Sequence, residues 1–212
     1  MKITILYDND AWNPKLKAGW GFSCLIEIFG KTILFDTGAK GDILIDNMKK
    51  LNISPDRVDE IFISHDHWDH TGGLSHFLQL HPVRVYMPSI FSGTYSAKEI
   101  IRVDGPVKLH DNIYSTGTLQ NIEQSMVIKK NQKVAVIAGC SHPGVDKILD
   151  AASQIGEVTS IIGGLHGFND FPLLKNLENI CATHCTQYKN EIQRHYPSAY
   201  IEGGAGKVLD IG

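Results

Sequence analysis

Ser64-His65-Asp66-His67-Trp68-Asp69-His70-Thr71-Gly72-Gly73 follows directly on the apolar residues 61–63, so a dense run of polar side chains ends a predicted buried strand. Alternate side chains of an extended segment point the same way, which lets His65 and His67 share one metal ion. Asp69 and His70, further round the turn, are predicted to hold a second ion. Imidazole and carboxylate without thiolate is the ligand set of zinc, iron or manganese in hydrolytic sites. The alternative, a surface loop rich in histidine by chance, does not explain this density.

The composition is that of a folded protein with a small net charge. The chain has 212 residues, 42% of them apolar, and its 20 basic and 23 acidic residues give a net charge of −3. This length favours one domain over residues 1–212. A nucleic-acid partner is not expected without a basic surplus, and no apolar run approaches the roughly 20 residues of a membrane span. Four cysteines without a paired motif or an export signal indicate reduced thiols in the cytoplasm.

Hydrophobic periodicity predicts a β-rich first part, followed by strands that alternate with helices. The predicted strands cover residues 2–7, 22–28, 31–35, 58–64, 83–87, 113–116, 124–129, 133–138, 158–162, 180–183 and 199–202. The predicted helices cover residues 40–51, 72–80, 143–155, 172–179 and 186–195. Residues 89–111 are expected to form a loop with short strands, and residues 203–207 a closing turn before a last strand.

The pattern His-x-His-x-Asp-His after a strand resembles the signature of the metallo-β-lactamase-fold hydrolases. Phe35-Asp36-Thr37-Gly38, at the end of the second hairpin strand, is similar to the early Asp motif of that family. The resemblance covers nearly the whole chain and implies an α/β (α+β) fold, a four-layer αββα sandwich. It also implies that Asp36 supports a metal-binding imidazole by a hydrogen bond and does not bind metal itself. A simple turn residue is the alternative for Asp36.

Three later segments resemble a narrower group, related to the dihydropterin-ribofuranosylaminobenzene-phosphate synthase of methanopterin biosynthesis. They are Gly139-Cys140-Ser141-His142-Pro143-Gly144, Gly163-Gly164-Leu165-His166 and Thr183-His184-Cys185-Thr186. His142 lies between a predicted strand and a helix, where it would complete the first metal site with His65 and His67. His184 matches the last metal histidine of the family and is assigned to the second metal with Asp69 and His70.

The sequence departs from the family pattern at two positions. Residues 116–123 lie where most members carry a Gly-His loop, and they contain no histidine. Cys140 lies near the expected bridging aspartate. One ligand position is therefore vacant or filled by Glu123, and water alone is a candidate for the bridge. Cys140 is either a ligand or a buried thiol, and the buried thiol is favoured.

His166 follows two glycines that let backbone approach a substrate closely. We predict that His166 binds substrate or donates a proton to the leaving group, and that Asp69 also helps to hold the nucleophile. A supporting or surface role is the alternative for His166.

These residues favour a hydrolase in which two divalent metal ions activate water for attack on a phosphoester, or another ester, of a small phosphorylated metabolite. Zinc is the favoured metal, and iron or manganese fit the same ligands. The first alternative is a pterin-pathway synthase or transferase that uses the same metals. A di-iron redox protein and a metal-dependent sensor are further alternatives. Homo-oligomers remain compatible with the sequence.

Overall fold

Two β-sheets form the framework of the protein in a computed structural model that describes all residues 1–212. The first sheet contains β1 (Lys2–Tyr7), β2 (Ser23–Ile28), β3 (Lys31–Phe35), β4 (Glu60–Phe62), β5 (Arg84–Pro88), β6 (Glu99–Val103) and β13 (Val208–Asp210). The second contains β7 (Val107–His110), β8 (Ile113–Ser115), β9 (Met126–Lys130), β10 (Lys133–Ala138), β11 (Glu157–Gly164) and β12 (Asn179–Thr183).

The strand directions bring several carboxyl ends to the same edge of each sheet. The first sheet has the order β13-β1-β2-β3-β4-β5-β6, and the second has the order β12-β11-β10-β9-β8-β7. β3, β4, β5 and β6 are mutually parallel, and β1 runs in the same direction because β2 is antiparallel to both β1 and β3. β10, β11 and β12 are also parallel. Ligands of such sheets bind outside the carboxyl ends of the strands.

Helices cover the outer face of each sheet, which gives the four-layer αββα sandwich that the sequence predicted. The helices are α1 (Gly41–Lys50), α2 (Trp68–Thr71), α3 (Leu74–Leu80), α4 (Val145–Ser153) and α5 (Lys189–His195). One apolar cluster lies between the sheets and contains residues of both, among them Ile5, Phe62 and Ile137. Two further clusters pack α1 and α3 against the first sheet, and α4 and α5 against the second. Burial of these apolar faces drives the layering.

The hairpin of β2 and β3 shows how local sequence sets register. Phe29 and Gly30 both have positive φ, 50° and 73°, which a two-residue hairpin turn of the favoured handedness requires. Cys24 therefore pairs with Phe35, and Leu25 with Leu34. Asp36 is thereby placed directly after the end of β3.

The structure differs from the sequence prediction in two C-terminal elements. The helix predicted at 172–179 is a single 3₁₀ turn over Phe171–Leu174. The chain has already reached the sheet by Glu178, whose N–H donates to the Thr159 carbonyl. The strand predicted at 199–202 is reduced to one parallel bridge between Tyr200 and Ile180, because Gly204, with φ of 123°, turns the chain away.

Smaller differences concern boundaries. The strand predicted at 58–64 is the three-residue β4, the helix predicted at 72–80 is α3, and the short helix α2 before it was not predicted. The region 89–111 contains the short strands β6 and β7, as expected. No helix in the structure is long and apolar enough to cross a membrane.

Candidate metal centre

Six loops converge at the edge of the sandwich where the parallel strands end. They follow β1, β3, β4, β10, β11 and β12. Four of them contain a non-glycine residue with positive φ immediately after or close to the strand end: Asp36 at 52°, Ser141 at 61°, His166 at 46° and His184 at 48°. Such backbone conformations cost free energy and concentrate at functional sites. They turn each loop sharply, so that short side chains reach a common centre.

The first group of candidate ligands contains His65, His67 and His142. The Nε2 atom of His65 lies 3.1 Å from Nδ1 of His67. The ring centroid of His142 lies 4.8 Å from that of each of the other two. The structure thus brings together the three histidines that the sequence assigned to the first metal.

The second group contains Asp69, His70 and His184. Oδ2 of Asp69 lies 3.3 Å from Nε2 of His184 and 3.9 Å from Nε2 of His70. All three side chains are buried, and the imidazoles of His70 and His184 are 5.0 Å apart between centroids. The residues assigned to the second metal are therefore adjacent as well.

Asp36 sets the orientation of one imidazole in each group. Its carboxylate accepts hydrogen bonds from Nδ1 of His70 (2.7 Å), from the Ser64 hydroxyl (2.7 Å) and from the Ser64 amide (2.7 Å). The Ser64 hydroxyl in turn lies 2.9 Å from Nδ1 of His65 and accepts its proton. The proton of each ring is thereby held on Nδ1, which leaves the Nε2 lone pairs of His65 and His70 free to bind metal.

Asn9 performs the same task for His184. Its Oδ1 atom lies 3.0 Å from Nδ1 of His184, and its Nδ2 donates to the carbonyl of the same residue at 3.1 Å. The amide of Gly21 also donates to Oδ1 of Asn9 at 3.1 Å, which fixes the side-chain amide. The Nε2 atom of His184 faces the centre.

The electrostatic environment keeps His65 and His142 neutral. Burial, with the neighbouring His67 and His166, lowers the pKa of His142 to about 4. Burial and the surrounding imidazoles also lower the pKa of His65 well below its usual value. Neutral imidazole is the form that binds a cation. At neutral pH each of these two imidazoles therefore keeps one nitrogen lone pair free.

The pKa shifts differ in the second group because the carboxylates of Asp69 and Asp36 lie in it and beside it. Burial lowers the pKa of His70, but the charge and hydrogen bond of Asp36 outweigh that effect, so the net shift is upward. For Asp69, burial raises the pKa, and the contacts with His184 and His70 more than offset it, so the pKa falls well below its usual value. Asp69 is thus a carboxylate at neutral pH.

The chemistry of these donors fits divalent metal ions. Nε2 of His142 and Nε2 of His184 are buried and have no hydrogen-bond partner, which is unusual for native proteins. Two ligands of one tetrahedral zinc, each at about 2.0–2.1 Å from it, lie roughly 3.3 Å apart. The contacts of 3.1 Å in the first group and 3.3 Å in the second match that separation.

Glu123 occupies a position behind the site. One carboxylate oxygen accepts hydrogen bonds from the amides of Gly139, Cys140 and Ser141, and the other from the amide of His142. The carboxylate is thus fully engaged with the loop 139–142. This geometry favours a supporting role for Glu123 over the metal ligand considered from sequence.

Cys140 lies closer to the centre than a mere packing residue would. Its Sγ atom is 3.2 Å from Nε2 of His70. It is also common to two sets of side chains whose ligand atoms lie within 4.8 Å of one another, one with His65 and His142 and the other with His70 and His184.

A cavity of about 390 Å³ opens above the metal ligands. Two exposed tryptophans, Trp20 and Trp68, line it, and Nε1 of Trp20 donates to Oδ2 of Asp69 at 2.9 Å. His166 also lines it, with its ring 5.0 Å from that of His142. A second cavity of about 400 Å³ shares His142 and His166. His166 therefore lines both cavities.

Sequence reasoning missed Asn9, Ser64 and the contact of Trp20 with Asp69. Ser64 could have been found from sequence, because its hydroxyl group directly precedes a predicted ligand. Asn9 is 175 residues from His184, so no local pattern could reveal their contact.

Comparisons with known proteins agree with this architecture. The model of the metallo-beta-lactamase superfamily matches residues 21–146. A protein of Methanocaldococcus jannaschii, named 7,8-dihydropterin-6-methyl-4-(beta-D-ribofuranosyl)-aminobenzene-5'-phosphate synthase, is 26% identical in an alignment that covers 97% of this chain and 95% of that protein.

Two crystal structures share the fold. One, described as a metal-dependent hydrolase of the beta-lactamase superfamily, has a TM-score of 0.81 at 24% identity and covers 100% of this chain and 99% of its own. The other is Zn²⁺-bound PqqB from Methylobacterium extorquens, with a TM-score of 0.66 at 13% identity over 100% of both chains. At these identities the likeness concerns the fold alone.

Proposed function

The chain belongs to the metallo-β-lactamase superfamily, and on that premise we propose that it is a dinuclear metal-dependent hydrolase of phosphoesters. The observation that carries the proposal is the convergence of two ligand groups, each with a buried imidazole nitrogen that lacks a partner. His65, His67 and His142 would hold one ion, and Asp69, His70 and His184 the other. Zinc suits this set best, since imidazole dominates it.

When bound, two divalent ions supply a water of pKa about 7 as nucleophile and neutralise charge on the attacked ester. The chain contributes the orientation of the reactants. Oδ2 of Asp69 is held by Nε1 of Trp20, so the carboxylate is positioned to accept a proton of the attacking water. His166, on the cavity wall beside His142, is placed to give a proton to the departing oxygen.

The walls of the two cavities support a small, singly charged phosphodiester as substrate. No lysine or arginine is among the residues that line either cavity, whereas Asp146 and Asp170 line the second. A terminal phosphate with two negative charges would therefore lack a cationic side chain outside the metal centre. The indoles of Trp20 and Trp68 offer flat apolar surface for an organic ring of the metabolite.

The four free cysteines support a reducing compartment such as the cytoplasm.

Hydrolysis of bis(p-nitrophenyl) phosphate by the zinc-loaded protein tests the proposal. We expect turnover by the wild type and a loss of more than about 100-fold in His67→Ala, because a metal ligand is removed. His76→Ala, which changes an exposed histidine on α3, is the matched control and is expected to keep full activity. Equal activity in His67→Ala and the wild type would contradict the proposal.

The second candidate is a synthase or transferase on a pterin precursor. The observation that favours it is the name of the Methanocaldococcus jannaschii relative, which this chain matches over 97% of its own length. Reaction in ¹⁸O-labelled water separates the two. A hydrolase places one ¹⁸O atom in the phosphate product of bis(p-nitrophenyl) phosphate. Two bound metals without hydrolysis of any phosphodiester tested would favour the synthase.

A further inference from the structure

Cys140 is the side chain common to both compact sets of candidate metal ligands. It lies two residues after β10, is 3% exposed, and has its Sγ atom 3.2 Å from Nε2 of His70. Its sulfur belongs to one compact set with His65 and His142 and to another with His70 and His184. A donor shared by two sets of ligands is in the position of a bridge between two ions.

Hydrogen bonds on both sides fix the loop around Cys140 and with it the position of the thiol. Glu123 accepts hydrogen bonds from four successive amides of residues 139–142, at 2.9 to 3.1 Å. A Cβ atom at Gly139 would lie 2.2 Å from Oγ of Ser64, so no larger residue fits before the cysteine. The Ser141 hydroxyl donates to the Gly164 carbonyl at 2.7 Å and closes the other side of the loop.

We propose that Cys140 bridges the two metal ions as a thiolate, in the position where the family resemblance leads one to expect an aspartate. This inference rests on the proposed dinuclear site. His142 and His184, one in each group, each belong to a set whose ligand atoms lie within 4.8 Å of one another and include the sulfur, and their buried Nε2 atoms without a partner supply the second, independent indication of two ions. Cys140 would hold the ions as a thiolate, and its proton would be released to solvent when they bind.

A bridging thiolate changes which metals the site accepts. Thiolate is a soft ligand that favours zinc and cobalt(II) over manganese(II) and magnesium(II). The interpretation of Cys140 as a packing thiol, favoured from sequence, predicts no such bias. Cobalt(II) is a suitable probe because a cobalt–thiolate bond gives an intense near-ultraviolet charge-transfer band, which imidazole and carboxylate do not give.

The test is cobalt titration of the metal-free protein, followed by absorption and by metal content per chain. In the wild type we expect the charge-transfer band and two bound cobalt ions. Cys140→Ser should lose the band and bind the second ion at least about ten-fold more weakly. Cys24→Ala, which removes a buried thiol of the core between the sheets, is the matched control and should keep the band.

A second variant keeps the test decisive if Cys140→Ser does not fold. Cys140→Asp restores a bridging carboxylate, so it should bind two cobalt ions without the charge-transfer band. A wild type that binds two ions without the band, or a band that survives in Cys140→Ser or Cys140→Asp, would overturn the proposal. Failure of the proposed function is a separate result, namely a wild type with two ions and the band but no phosphodiester hydrolysis.

Discussion

Individual residues determine the protonation pattern of the site before any metal binds. Asp36 and Ser64 hold the Nδ1 protons of His70 and His65, and Asn9 holds that of His184. Each imidazole therefore presents a lone pair to the centre. The hydrogen bonds originate in three different loops, and they make the ligand geometry a property of the folded chain rather than of the metal.

Replacement of Asp36 by Asn should disturb both metal groups at once. The amide would place a donor where an acceptor now faces Nδ1 of His70 and the Ser64 hydroxyl, so the proton of His70 would move to Nε2. We expect metal affinity to fall about 10- to 100-fold, as measured by competition with a chelator. Asp56→Asn, at an exposed carboxylate, should leave the affinity unchanged. Unchanged affinity in Asp36→Asn would show that the hydrogen bond does not control the tautomer.

The lowered pKa values of His65 and His142 predict how the metal-free protein responds to acid. Both groups bind a proton more readily in the unfolded chain than in the folded one, so stability falls as pH decreases below about 6.5. For His142 the loss continues until its folded pKa of about 4. The measurement is urea denaturation of the protein between pH 7 and pH 4, after a chelator has removed its metal.

His142→Gln removes one of these titrating groups and should make the pH dependence shallower in the same interval. His70, whose pKa is raised, works in the opposite direction: its contribution is present below about pH 6.5 and is lost as pH rises through the folded pKa. A stability that is constant or increases as pH falls to 4 would contradict this account.

At the scale of elements, sharp loops after short buried strands do most of the positioning. The ends of β3, β10 and β12, and the motifs that follow them, were predicted from sequence, whereas the strand predicted at 58–64 already ends at Phe62. The helix predicted at 172–179 does not form, because its apolar periodicity competes with Pro172 and with the hydrogen bond that attaches Glu178 to the sheet. The strand at 199–202 shortens to one bridge for the same kind of reason, since Gly204 redirects the chain.

The loop 139–142 depends on Glu123, and this dependence is testable. Burial raises the pKa of Glu123, while its four backbone hydrogen bonds act in the opposite direction. In Glu123→Gln one oxygen becomes an NH₂ group that cannot accept from an amide, so one or more buried amides lose their partner. We expect a loss of about 1–3 kcal/mol in the free energy of unfolding and weaker metal binding.

Glu157→Gln, at an exposed position that begins β11, is the matched control and should change neither quantity. Both variants would be measured by urea denaturation and by cobalt or zinc titration. If Glu123→Gln were as stable as the wild type and bound metal equally well, the carboxylate would not be what holds the loop.

At the scale of the whole molecule, neither sheet supplies a complete group of candidate ligands. His65, His67, Asp69 and His70 follow a strand of the first sheet, whereas Cys140, His142 and His184 follow strands of the second. Each group of candidate ligands therefore joins the two sheets. The candidate ligands, with Cys140 near the expected bridging position, could be predicted from motif and resemblance. The contacts of Asn9 and Trp20 required the tertiary fold, because their partners lie 175 and 49 residues away in sequence.

The most direct test of the two-metal account is zinc titration of the metal-free protein, monitored by hydrolysis of bis(p-nitrophenyl) phosphate. The account predicts that activity rises until two zinc ions are bound per chain and is constant beyond that ratio. Full activity at one zinc ion per chain, or no hydrolysis with two ions bound, would contradict it.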